Sequence, residues 1–104
     1  MKALTLTLTL LVAFAAGAIA AQTTITQKGK KFSEKSIEVA AGSAIEFVND
    51  DDITHNVYSR SKGNEFDLGA QEPGSNMAYT FANAGKVKVR CAIHPKMKMT
   101  VMVK

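Results

Sequence analysis

From residue 22 onward, apolar and polar positions alternate in short runs divided by turn chemistry. Thr23–Gln27 brackets Ile25, and Ile37 and Val39 alternate with polar neighbours before Ala41-Gly42-Ser43 turns the chain. Ile45 and Phe47 repeat the pattern until Asn49-Asp50-Asp51-Asp52 breaks it. Val57 and Tyr58 follow His55. The polar stretch 60–76 holds a Pro73-Gly74 turn signal and a short strand around Phe66–Leu68. Tyr79 and Phe81 alternate, Ala84-Gly85 turns, Val87, Val89 and Cys91 share one parity, and Met99, Val101 and Val103 close the chain. No run beyond residue 22 carries a helical period. About seven or eight short strands with regular turn signals predict an all-β domain, an antiparallel sandwich or barrel. The same rule puts the Cys91 sulfur on the inner face as its strand ends.

The first residues follow a different pattern. In MKALTLTLTLLVAFAAGAIAA only Lys2 is charged, an apolar centre follows, and Ala18-Ile19-Ala20 is an A-x-A exit. That layout predicts a secretory signal over 1–20 and a folded domain over 21–104. The competing reading, a membrane anchor, needs about 20 predominantly apolar residues, and Thr5, Thr7 and Thr9 dilute this run. The mature chain is therefore expected in the periplasm, without membrane insertion.

Composition narrows the class further. With 104 residues the chain holds one domain, and 46% hydrophobic and 21% charged residues are globular values. So small an exported domain usually adds disulfides to a marginal core. This one has a single cysteine, Cys91, so a disulfide scaffold is excluded. The thiol must be buried and inert, paired with another chain, or held by a metal. A multidomain enzyme and a coiled coil are excluded as well.

Cys91 opens the segment Cys91-Ala92-Ile93-His94-Pro95-Lys96-Met97. A thiolate, an imidazole and a thioether at i, i+3 and i+6 are soft or borderline ligands suited to copper. The other histidine, His55, lies in a polar turn after a strand. Two His, one Cys and a weak axial Met make the blue-copper ligand set, and here they use both histidines and the one cysteine. Pro95 keeps the segment out of a regular ladder, so residues 92–97 must connect tightly and hold three donors close together. For this composition the chance of His at +3 and Met at +6 from a cysteine is about one in a thousand. Taken singly, each residue has a plainer role: His94 at the surface, Met97 as core filler, Cys91 as a small buried hydrophobe.

Those residues resemble the cupredoxins, and within them the plastocyanin/amicyanin group. Phe47-Val48-Asn49-Asp50 before His55-Asn56-Val57 is similar to the first-ligand region of that group. Tyr79-Thr80-Phe81, Ala84-Gly85, Val89 and Cys91 resemble the strand leading to its cysteine. The Cys-x-x-His-Pro-x-Met loop looks like the short loop of amicyanins. The resemblance implies a Greek-key β-sandwich or barrel, one type 1 copper ion, and His55, Cys91, His94 and Met97 as ligands. Met99 competes with Met97 for the axial place. Family members carry Val four and six residues after that ligand, and Val101 and Val103 fit Met97. It further implies that Asn56 ties the two ligand loops together, its N–H pointing at the Cys91 sulfur. Ile93 stands where the group usually has Pro, so a second N–H to the sulfur is expected there, raising the reduction potential.

Four protein ligands leave no position for a substrate on the metal, and no set of base, orienter and oxyanion donors is visible around a Cys/His pair. The expected function is single-electron transfer by a soluble monomer that is not an enzyme, with the ring edge of His94 as exit and an apolar rim from Pro95 and Met97. A c-type cytochrome or a dehydrogenase is the expected partner. The alternative is a copper carrier or copper-resistance protein that uses Met97, Met99, Met102 and Met77 as thioether donors. A net charge of +4 without an aromatic-basic stripe does not indicate nucleic acid. Most lysines read as a solvated face, but Lys96 and Lys98 flank the loop and are placed to steer an acidic partner.

Overall fold

The structure, a computed structural model, describes residues 23–104. The expected secretory signal lies outside the described residues. Nine strands run β1 Thr23–Lys28, β2 Lys31–Phe32, β3 Ser36–Val39, β4 Ser43–Asn49, β5 His55–Ser59, β6 Phe66–Gln71, β7 Asn76–Phe81, β8 Gly85–Arg90 and β9 Lys98–Val103. They form two sheets, of order β2-β1-β4-β7 and β3-β9-β8-β5-β6. The architecture is an all-β sandwich rather than a closed barrel.

The count exceeds the sequence expectation because β2 is only two residues long, too short to show a period; the strand expected around Phe66–Leu68 is β6, which runs on to Gln71 through a polar segment. The antiparallel expectation also needs correcting. β1 pairs with β4, and β3 with β9, in parallel. Period-2 alternation fixes which face a residue occupies but carries no information on the direction of its neighbour. Parallel neighbours need a crossover connection. Here the chain supplies one by leaving the first sheet to form β3 in the second before returning as β4.

Alternation sets the core. Ser43, Ile45, Phe47 and Asn49 of β4 are buried, their neighbours half-buried. Val87 and Val89 of β8 face Val101 and Met99 of β9 across the ladder, all four buried. With no Trp, the space between the sheets is closed by small aromatic contacts. Phe66 stacks on Tyr79 with centroids 3.9 Å apart and meets Phe81 edge-on at 5.8 Å and Phe47 at 6.4 Å. Such pairs contribute about 0.5–1.5 kcal/mol each beyond the area they bury.

Two turns bear on the metal-facing end. Gly29 and Lys30, with φ of 60° and 57°, join β1 to β2 as a two-residue hairpin loop of the kind that needs φ > 0 at both positions. Glu72-Pro73-Gly74-Ser75 closes with a Ser75 N–H to Glu72 C=O bond of 3.0 Å, and Gly74 at φ 84° makes it a type II turn. Asn49 clamps that turn by donating its N–H to Ser75 and accepting from Gly74.

Candidate metal centre

β8 and β9 build one half of the centre. Their register pairs Val89 with Met99 and Arg90 with Lys98, so the next rung, beyond the strands, sets Cys91 opposite Met97. The Cys91 N–H donates to the Met97 carbonyl at 3.2 Å along that rung. Residues directly opposite point to the same face, so the thiol and the thioether both turn inward, 1% and 2% exposed. Met99 also faces inward but sits opposite Val89, one inward rung deeper. Between Cys91 and Met97 the chain folds tightly. The Met97 N–H donates to the His94 carbonyl at 2.9 Å, with Pro95 in the second position of the turn, which its fixed φ favours.

β5 supplies the other half. His55 does not lie in a turn, as its polar surroundings suggested; it opens β5 and is fully buried. His55, Asn56 and Val57 are buried in succession, which strict alternation forbids. A register shift between Asn56 and Tyr58 against β6 explains it. Bulges re-aim side chains in this way, commonly beside active sites.

The donor atoms of His55, Cys91 and His94 all lie within 4.8 Å of one another. Nδ1 of each imidazole is 3.8 Å from Cys91 Sγ, and the two ring centroids are 5.0 Å apart. Behind His55, Nε2 lies 2.9 Å from Asp51 Oδ2. A carboxylate accepts the Nε2–H, which leaves the Nδ1 lone pair facing the sulfur. That hydrogen bond, followed by the Lys30 N–H at 3.0 Å, holds the Asp51 carboxyl well below the usual carboxylate range. A thiol and two imidazole nitrogens around one point fit a soft or borderline cation, and copper among them.

Asn56 joins the halves. Its N–H points at Cys91 Sγ from 3.4 Å, and its side-chain carbonyl accepts the Ala92 N–H at 3.3 Å. Its amide nitrogen donates to Asp67 Oδ1 and the Gly69 carbonyl on β6. Among the described residues this is the one backbone N–H given to the sulfur. No such bond from the Ile93 N–H, the second donor expected, occurs among the described residues, and Ile93 is 51% exposed. The apolar rim is accordingly Ile93 and Pro95 beside the half-buried His94, and the buried Met97 is not part of it.

The sequence model of the plastocyanin/azurin family of copper-binding proteins matches residues 19–104. The chain belongs to that family. The chain is 32% identical over 90 residues to "Methylamine utilization protein MauL" of Methylorubrum extorquens, covering 86% of this chain and 79% of that one. An amicyanin variant in its reduced state superposes with a TM-score of 0.75 at 20% identity, over 86% of this chain and 88% of that one. The copper-containing nitrite reductase of Thermus scotoductus superposes at 0.73 and 28% identity, but this cupredoxin spans only 22% of that chain.

Sequence reasoning missed the support beneath His55. Asn49 accepts the Asp51 N–H and donates to the Ile53 and Gln71 carbonyls, so it shapes the loop 50–54. Gln71 is fully buried, receives Gln27 Nε2 at 2.6 Å and donates to the Phe47 carbonyl. The legible signal was the Asn-Asp-Asp-Asp run, since such side chains bond their own backbone two residues on.

Proposed function

We propose that this protein is an exported, periplasmic carrier of single electrons, with copper held by His55 Nδ1, Cys91 Sγ and His94 Nδ1 and, weakly, by the Met97 thioether. The observation that carries this reading is the pair of imidazole nitrogens, each 3.8 Å from one buried thiol sulfur. The register supports Met97 over Met99, because Met97 shares the Cys91 rung. Bound copper supplies a one-electron Cu(I)/Cu(II) couple. The protein's part is to fix the donors: Asp51 sets the His55 tautomer, Asn56 links both loops, and the 94–97 turn holds His94 and Met97 against Cys91. Four protein donors leave no place for a substrate, so a carrier is favoured over an enzyme. Electrons pass through the half-buried His94 ring, with Ile93 and Pro95 as the apolar surround. Redox proteins such as a c-type cytochrome or a dehydrogenase are the partners this arrangement suits.

The copper-carrier reading draws no support from the methionines. Met97 and Met99 are buried, and Met77 lies on β7 of the opposite sheet. Export rests on the 1–20 pattern, and no helix among the described residues is long and apolar enough to cross a membrane.

The test is a visible spectrum of residues 21–104 after one equivalent of Cu(II). An intense blue band, bleached by ascorbate and absent in Cys91→Ala, is expected. A colourless protein that binds Cu(I) tightly overturns electron transfer in favour of copper carriage.

A further inference from the structure

Two lysine clusters that are far apart in sequence meet on one side of the metal centre. The β1–β2 hairpin brings Lys30 and Lys31, and the segment after β2 brings Lys35. They border the same groove of about 590 Å³ as Lys88 and Arg90 of β8. Lys96 and Lys98, on either side of Met97, complete it. Glu34 is the one acidic residue in the lining, and the buried Phe32, Met97 and Met99 lie beneath its floor. Among the described residues, none of these seven cations is in an ion pair; the two that occur are Asp51–His55 and Glu38–Lys104.

The sheet register adds a second, independent observation. Arg90 lies directly opposite Lys98. Both are exposed on the outer side of the ladder, and like charges directly opposite each other destabilise a sheet. The fold thus keeps an unfavourable pair, neither member of it in an ion pair, at the end of the ladder that leads into Cys91 and Met97.

We propose that this groove docks an acidic protein surface, the carboxylate-bearing face of a redox partner. The proposal rests on the copper reading above and names the partner's chemistry. Cations gathered around one concave wall focus field lines and raise encounter rates with an anionic partner. The concavity suits a protruding acidic loop better than a flat lipid headgroup layer. A partner seated here rests against the residues flanking Met97, beside the 94–97 turn that carries His94.

The experiment uses the copper-loaded protein and two c-type cytochromes, one of net negative and one of net positive charge, with electron exchange followed by stopped flow. Wild type should reduce the acidic cytochrome about tenfold or more faster than the basic one at low salt, and lose that preference near 1 M salt. Lys31→Glu/Arg90→Glu should lose about tenfold toward the acidic cytochrome while keeping the blue band. Arg90→Glu, now opposite Lys98, should unfold at the same temperature or higher. Lys62→Glu/Lys86→Glu, both exposed and outside the groove lining, makes the same charge change and should retain most of the rate. Amide shifts in the metal-free protein on adding the acidic cytochrome should centre on Lys31, Lys88 and Arg90.

Equal losses in both double variants would overturn the groove in favour of net charge alone. A loss toward hexacyanoferrate but not the cytochrome would reassign it to small anions. Retention on phosphatidylglycerol vesicles that the groove variant abolishes, with the cytochrome rate unchanged, would reassign it to membranes. Failure of the copper reading is distinguishable, because wild type would then show no blue band at all.

Discussion

Asp51 holds His55 from the side away from the thiol: its Oδ2 lies 2.9 Å from Nε2, while Nδ1 of the same ring stands 3.8 Å from Cys91 Sγ. One imidazole thus spans a carboxylate and the centre. The carboxylate is itself fixed by the Lys30 N–H from the neighbouring hairpin. Asp51→Asn keeps an acceptor's shape but removes the charge that favours the Nε2–H tautomer. Partners of this kind typically account for about 10–100-fold in metal affinity. The variant should bind Cu(II) weaker by that order, measured by competition with a chelator, and still fold.

The same contact makes acid stability depend on Asp51. Its carboxyl, ordinarily near 3.8, is held well below that value in the fold, first by the hydrogen bond to His55 and then by the Lys30 N–H. The unfolded chain therefore takes up this proton at higher pH than the folded one. The stabilisation is fully present above the ordinary carboxylate value and is lost as pH falls through and below it. Metal-free wild type should lose unfolding midpoint more steeply than Asp51→Asn between about pH 5 and about pH 2, followed by circular dichroism.

Met97 and Met99 are both buried inward-facing thioethers two residues apart, yet only Met97 stands opposite Cys91. Leucine conserves the volume of methionine and should cost less than about 1.5 kcal/mol at either place. Met97→Leu should shift the reduction potential and the blue spectrum, because axial donors tune such sites. Met99→Leu should move neither. Voltammetry of the two variants checks the assignment, and a shift in Met99→Leu alone would reverse it.

What the sequence made legible follows from period and motif. Alternation through Val87, Val89 and Cys91 placed the thiol inward, and the loop spacing gathered His94 and Met97 around it. Family resemblance added the Asn56 N–H toward the sulfur, at 3.4 Å in the structure. Strand direction was not legible, since side-chain alternation is the same for parallel and antiparallel neighbours; hence β1–β4 and β3–β9. The bulge in β5 was not legible either, because consecutive buried residues His55, Asn56 and Val57 break the period that a sequence reading relies on. Nor was the meeting of the two lysine clusters, which depends on the β1–β2 hairpin reaching across to the end of β8.

Ile93 offers a sharp check on how the sulfur is surrounded. A free N–H at this position, where the group usually has Pro, suggested a second hydrogen bond to Cys91 and a raised potential. In the structure the sulfur's backbone donor is Asn56, and Ile93 turns outward. Ile93→Pro therefore removes an N–H that the sulfur does not use, and should leave the potential and the blue band in place. Its effect should instead appear at the rim, where about half of the Ile93 side chain meets solvent. Asn56→Ser keeps the backbone N–H but shortens the side chain that joins Ala92 to Asp67 and Gly69. Loss of those part-buried bonds should lower stability by about 1–3 kcal/mol in urea unfolding. A fall in potential for Ile93→Pro would show that its N–H reaches the sulfur once copper is bound.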